Sequence, residues 1–315
     1  MRAIAIEEFG GPEKLKAMNL PRPKPEKSEV LIRAVAAGVN PVDGKIREGA
    51  LRELLPHSFP LIPGWDVAGV VEEFGEGTTQ FRKGDRVWAY ARKPVVQWGC
   101  YAEYVAVPET SVALMPTKLL YEEAAAVPLA ALTAYQCLFA RPGFGAGSSV
   151  LVHAAAGGVG HFAVQLARHA GAEVFGTAGP ANQPFVLELG ADASIDYTKE
   201  DFREAVRRHR PEGVDLVISS LDPQTVSRSY DVIKPGGRLV SVVGRPDPEE
   251  AARHQLTADY LFVEPSGEQL TTLAGLVNQG KLRPHVEKIF ALDEAAQAQQ
   301  MVADGHVRGK LVLNL

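Results

Sequence analysis

Cysteine is scarce. The 315 residues hold two, Cys100 and Cys137, too few for a disulfide framework or a four-cysteine zinc lobe and ordinary for a reduced compartment. Long apolar runs are missing as well: the most apolar stretch, Ala124 to Leu132, contains Pro128 and falls well short of the roughly 20 residues a membrane span needs. Glu7 and Glu8 occupy the place where a secretory signal would carry its apolar run. A cytoplasmic protein without a membrane partner is expected. Nor is there an excess of basic charge, since 33 Lys plus Arg stand against 38 Asp plus Glu for a net charge of −5, which disfavours nucleic acid as a partner.

What is present is enough chain for about two domains, with 30 glycines and 22 prolines that punctuate short elements. From Met1 to about Thr117, short β-branched runs such as Glu29 to Ala37, Val67 to Phe74 and Arg86 to Tyr90 read as a mostly antiparallel β domain. A helix is expected over Tyr121 to Leu138. Beyond it, apolar strand, glycine and amphipathic helix recur, which implies a parallel sheet with helices on both faces. The candidate strands are Ser149 to His153, Glu173 to Thr177, Ala193 to Tyr197, Val214 to Ser219, Arg238 to Val243 and Asp259 to Val263. Six strands match the doubly wound dinucleotide fold in number. The tail from Gly309 to Leu315 alternates like a strand and is expected to return to the first domain's sheet.

The most informative segment is SVLVHAAAGGVG, Ser149 to Gly160. A strand, then Gly157-Gly158-Val159-Gly160, then a helix to Ala170 gathers free N–H groups and the positive end of a helix dipole at one point, where a pyrophosphate fits. Gly157 lets the backbone approach the phosphates, Gly160 lets helix and strand pack closely, and Ala155 stands where the fingerprint has its first glycine. At the end of the second strand, Thr177 to Asn182 holds no carboxylate to repel a 2′-phosphate, and no Arg or Lys to attract one. NADP is favoured over NAD on that one-sided ground.

The stretches NPVDGKIREG (Asn40 to Gly49), PGWDVAGVVEEFGEG (Pro63 to Gly77), GDRVWA (Gly84 to Ala89), GCYAEYVAVPE (Gly99 to Glu109), LTAYQCL (Leu132 to Leu138), AAAGGVGHFAVQLA (Ala154 to Ala167) and GHVRGKLVLNL (Gly305 to Leu315) run from end to end. Together they resemble the medium-chain dehydrogenase/reductase superfamily, and within it the zinc-free quinone oxidoreductase and enone reductase branch. The resemblance implies an α/β protein: a GroES-like β-rich catalytic domain (1–120 with 265–315) and an inserted Rossmann domain (121–264) with a six-stranded parallel sheet, the active cleft lying between them. It also implies a homodimer joined through the edge strand Asp259 to Val263.

Zinc-dependent relatives carry Cys, His and Cys at their catalytic metal, and by motif alignment those places hold Asn40, Trp65 and Leu129, none a good zinc ligand. Without a metal, the localised alkoxide of a reduced ketone lacks its stabiliser. Hydride added to a quinone or to the β-carbon of an enone instead spreads its charge over several atoms, and positioned hydrogen bonds suffice. The expected activity is NADPH-dependent, zinc-free reduction of quinones or α,β-unsaturated carbonyls. Reduction of a saturated carbonyl, and NADPH binding without turnover, stay open beside it.

Lys45 stands where many quinone oxidoreductases have tyrosine, and resembles the alkenal and enone reductase subset. It either bonds the nicotinamide ribose and feeds a proton to the enolate, or is an exposed lysine on a turn. Asn40 is expected to orient substrate or nicotinamide, against a plain role as a turn cap. For the cofactor, the resemblance points to Gly157, Gly158, Val159, Gly160 and Thr177, to Thr133 near the nicotinamide, to Tyr197 on the adenine side, to the backbone of Val243 and Gly244, and to Lys310. For Lys310 a surface lysine is the plain alternative.

Overall fold

The β-branched runs ahead of Met115 pair as strands, and in the central ones most side chains on both faces are buried. In chain order they are β1 (Arg2–Ala5), β2 (Lys16–Asn19), β3 (Glu29–Val39), β4 (His57–Ile62), β5 (Asp66–Phe74), β6 (Arg86–Tyr90), β7 (Val96–Trp98), β8 (Tyr104–Pro108) and β9 (Val112–Leu114), with helix α1 (Pro41–Arg47) leaving the end of β3. β3 is the spine of this part, antiparallel to both β5 and β8. Ile32, Val71, Val87 and Val105 build the core beneath it.

Two helices, α2 (Tyr121–Ala125) and α3 (Pro128–Phe139), replace the single one expected over Tyr121 to Leu138. Proline at 128 has no N–H to give the carbonyl of Ala124, so the first helix ends there and the second begins on the proline, the one helical position where the missing donor costs nothing.

The parallel sheet follows as β10 (Ser149–Val152), β11 (Glu173–Ala178), β12 (Ala193–Asp196), β13 (Val214–Ser219), β14 (Ile233–Ser241) and β15 (Thr257–Tyr260), crossed over by α4 (Gly160–His169), α5 (Gln183–Glu188), α6 (Phe202–His209), α7 (Pro223–Ser229) and α8 (Pro248–Arg253). Its strand order is β12-β11-β10-β13-β14-β15, which reverses direction between β10 and β13, the switch point where doubly wound sheets bind ligands. Helices cover both faces, so all four residues of β10 are buried. The fifth strand starts at Ile233, ahead of the expected Arg238, and the sixth is set two residues ahead of the expected Asp259 by its ladder with β14, Arg238 opposite Thr257 through Ser241 opposite Tyr260.

The chain returns through α9 (Gly267–Asn278), β16 (Val286–Ala291), α10 (Ala295–Asp304) and β17 (Lys310–Asn314). β17 lies antiparallel to β3, pairing Leu311 with Val39 and Leu313 with Ala37. In this computed structural model, which describes residues 1–315, the chain divides into two units, Met1–Leu132 with Pro265–Leu315 and Thr133–Glu264. Helix α2, expected in the dinucleotide unit, packs on β3 and β5 of the first.

Candidate active site

In the second unit, the chain leaves β10 through Ala154, held in the left-handed region at φ 49°. The Ala154 N–H donates to Thr177 Oγ1 (3.2 Å), that of Ala155 to the Thr177 carbonyl (2.9 Å) and that of Gly157 to the Ala154 carbonyl (2.9 Å). The N–H groups of Gly158 and Val159 find no acceptor in the protein. They stand at the start of α4, where the helix dipole is positive, and half-exposed donors in that field are what an anionic pyrophosphate requires.

The glycines divide the work. A Cβ on Gly160 would enter the carbonyl oxygen of Ala154 and lie 2.7 Å from the Ala155 Cα, whereas one on Gly157 would meet only that carbonyl, at 3.2 Å. Gly160 therefore lets α4 pack on the strand, and Gly157 leaves the outer side of the turn open. Gly176 of β11 escapes a motif search, yet a Cβ there would lie 2.7 Å from the Cβ of Ala155, so it makes room for the alanine at the usual first-glycine place. A glycine inside an otherwise apolar strand was the available signal.

Thr177 is buried at the end of β11, and Tyr197, just past β12, is exposed with its hydroxyl 3.5 Å from where a Cβ on Gly179 would stand. Beyond the switch point, a cavity of about 250 Å³ opens at the carboxyl ends of β13 and β14, lined by Leu221, Pro223, Ser241, Gly244, Arg245 and Asp247 among others. Val243 is exposed beside it, while Thr133 is buried in α3.

The first unit holds a buried polar cluster. Asn40 caps α1, its N–H donating to Asp43 Oδ2 at 2.8 Å. The Asn40 amide nitrogen donates to Asp66 Oδ2 at 2.9 Å, and the Leu129 N–H donates to Asp66 Oδ1 at 2.7 Å. Lys310 is no surface lysine: its ammonium is buried, donates to the Val39 carbonyl (2.9 Å) and to Asn40 Oδ1, and lies 3.8 Å from Asp66 Oδ2. Burial raises the Asp66 pKa and lowers that of Lys310, while each charge opposes the shift of the other. Tyr101 Oη donates to Asp43 Oδ2 at 2.9 Å, but Asp43 Oδ1 has no partner, and burial pushes this carboxyl up to about 7. The same burial raises the Cys100 thiol and the Tyr101 phenol. Lys45 is exposed on α1 and forms no ion pair.

Asn40 and Leu129 thus converge on one carboxylate, and Trp65 precedes it in the chain. The donors there do not suit a zinc ion, because the Asn40 oxygen already accepts from an ammonium and the side chains of Trp65 and Leu129 offer no ligand atom. No group of three or more His, Cys, Asp and Glu side chains comes together to hold a metal.

A doubly wound sheet with a glycine-rich turn at its switch point, joined in the chain to a β-rich unit that includes the C-terminal strand, defines a nucleotide-dependent dehydrogenase or reductase architecture. Residues 26–117 match the family of the alcohol dehydrogenase GroES-like domain, and residues 189–313 match a family described as zinc-binding dehydrogenase. The chain is 34% identical to mouse (Mus musculus) quinone oxidoreductase over 100% of its own length and 98% of that protein's. It is 35% identical to the chloroplastic NADPH-dependent alkenal/one oxidoreductase of Arabidopsis thaliana, over 99% of this chain and 79% of that one. Escherichia coli quinone oxidoreductase, solved in complex with NADPH, superposes over 100% of both chains with a TM-score of 0.89 and 27% identity. The chain belongs to the medium-chain dehydrogenase/reductase superfamily, in its quinone oxidoreductase and enone reductase branch.

Proposed function

We propose that the chain is an NADPH-dependent, zinc-independent oxidoreductase that passes hydride to quinones or α,β-unsaturated carbonyls, among them enones and 2-alkenals. The observation that carries this reading is the pair of unbonded N–H groups at Gly158 and Val159, set at the N-terminus of α4 beside the switch point of the sheet. The names of the relatives supply the acceptor class, and the unsuitable donors at Asn40, Trp65 and Leu129 agree with it, since a conjugated acceptor spreads the charge a metal would otherwise hold.

NADPH, when bound, supplies the hydride. The turn Gly157 to Gly160 holds its pyrophosphate, with Thr177 behind the turn and Tyr197 on the adenine side. Gly244 lines the cavity across the switch point from the turn, with Val243 next to it in the chain, which suits the nicotinamide half, and Thr133 belongs beside it. Asn40 fixes the start of α1, and Lys45, exposed on that helix with no competing carboxylate, stabilises the oxygen of the reduced acceptor or passes it a proton. Lys310 places its charge beneath Asn40.

No helix is long and apolar enough to cross a membrane. Nucleotide consumption over a panel of quinones, 2-alkenals, cyclic enones and saturated ketones is the test. NADPH is expected to be oxidised with the conjugated acceptors, and to bind more tightly than NADH because no acid stands between Thr177 and Asn182. Turnover confined to saturated ketones, or none with any acceptor, rejects the assignment.

A further inference from the structure

The last residue before the phosphate turn is a buried histidine whose two ring nitrogens are both engaged. His153 Nδ1 lies 3.1 Å from Thr177 Oγ1, and Nε2 lies 2.9 Å from Ser229 Oγ. The network assigns the hydrogens. Ser229 gives its only hydroxyl hydrogen to the Thr225 carbonyl at 2.7 Å, so it accepts from Nε2–H. Nδ1 is then bare and accepts from the Thr177 hydroxyl. Thr177 Oγ1 in turn accepts the N–H of Ala154 at 3.2 Å. Burial lowers the His153 pKa to about 4, so the neutral ring persists under working conditions, and Phe202 meets it edge-on at 4.8 Å.

One ring therefore ties together three parts of the second unit. Through Thr177 it reaches the end of β11. Through the same hydroxyl it reaches Ala154, whose left-handed backbone an alanine seldom adopts unless something holds it. Through Ser229 it reaches the last residue of α7, the helix that gives Pro223, Val226 and Ser227 to the cavity beyond the switch point.

We propose that His153 is a positioning residue for the dinucleotide: by bridging Thr177 and Ser229 it holds the turn Ala154 to Gly160 so that the Gly158 and Val159 N–H groups face the pyrophosphate. The inference rests on the nucleotide-binding reading above. His153 touches no part of the cofactor itself and acts through Thr177 and the turn. Removing its nitrogens leaves the buried Thr177 hydroxyl hydrogen without its acceptor and the Ser229 oxygen without its donor, and the turn is free to relax.

His153→Phe keeps a ring of similar size and drops both hydrogen bonds. The full-length variant is titrated calorimetrically with NADPH and with adenosine 2′,5′-bisphosphate, which lacks the pyrophosphate. The Kd for NADPH is expected to rise about tenfold, with a change of less than twofold for the bisphosphate and in kcat at saturating NADPH. If His153→Phe does not fold, Ser229→Ala, which takes away the acceptor for Nε2–H, undergoes the same titrations with the same expectation. An unchanged NADPH affinity, with only a lowered Tm, makes the ring a packing element and overturns the proposal. Equal losses for the two ligands mark a general distortion and overturn it as well. Wild-type protein that binds neither NADPH nor NADH rejects the nucleotide reading and this inference together, whereas wild-type binding that the variants match rejects the inference alone.

Discussion

Asp43 is enclosed on every side, and its environment sets how the folded chain responds to pH. Its Oδ2 accepts from the Asn40 N–H and the Tyr101 hydroxyl, its Oδ1 has no partner, and Asp66 and Lys310 bring opposing charges nearby. Burial leads the causes that raise its pKa from 3.8 to about 7, so between those values the folded state holds a proton that the unfolded state has released. Stability from this group is complete below pH 4 and is lost as pH rises towards 7, with a slope of up to about 1.4 kcal/mol per pH unit. Asp43→Asn places an amide where the protonated acid would be. Urea unfolding at pH 5, 6 and 7 is expected to show a smaller decline in the variant, and an unchanged slope would mean Asp43 is ionised throughout. Lys45, exposed on the same helix, is the residue proposed to assist the reduced acceptor. Lys45→Ala is expected to lower kcat for enones about a hundredfold with little change in NADPH affinity. Quinones should lose less because their reduced anions are intrinsically more stable. Full kcat on both acceptor classes in a folded variant would make it a surface lysine.

The turn between β10 and α4 shows how a short connection can be both packed and open. Because a Cβ on Gly160 collides with backbone atoms of Ala154 and Ala155, which cannot rotate away, Gly160→Ala should cost about 1–3 kcal/mol of stability as well as nucleotide binding. Gly157→Ala meets a single carbonyl at 3.2 Å and is expected to fold with a nearly normal Tm while binding NADPH more weakly. Equal melting temperatures for the two variants would contradict this division. The turn was legible in sequence because strand, glycines and helix are consecutive, and the parallel strands because helices on both faces demand unbroken apolar runs. The β-rich unit was legible as a class, and the return of the C-terminal strand to its sheet as an expectation, but which strand partners which was not, since the pairings join distant segments, β17 to β3 being the longest reach. The polar cluster lay out of view for the same reason: Lys310 and Asn40 are 270 residues apart. The split of α2 from α3 at Pro128 was readable from that proline, whereas β14 starts where Ile233 pairs with Val214 of β13 and β15 where Thr257 pairs with Arg238 of β14, registers that no local pattern encodes. His153 reads as one more residue at the end of an apolar strand, and only folding supplies Thr177 and Ser229 as its partners.

A sheet that ends in an unpaired strand carries its own pressure towards association. β15 bonds only to β14, and the Leu261 N–H still points inward to the Ser241 carbonyl. By the alternation of a parallel ladder, the N–H groups of Ala258 and Tyr260 point the other way, along an open edge. Tyr260, Leu261 and Phe262 are only half-buried there. At the opposite edge, β12 runs into exposed Tyr197, Thr198 and Lys199, the last paired with Asp196 at 3.2 Å, a polar finish that discourages strand addition. Two copies that meet β15 to β15 about a twofold axis satisfy both open edges at once and close the assembly at two, since the interface is the same patch on each copy. A homodimer is therefore expected, with twice the chain mass by light scattering at micromolar concentration. Tyr260→Pro removes one outward donor and leaves the ladder to β14 intact, so it should shift the protein to monomer without loss of secondary structure by circular dichroism. Wild-type protein that stays monomeric, or a variant that remains fully dimeric, would place any association on another surface.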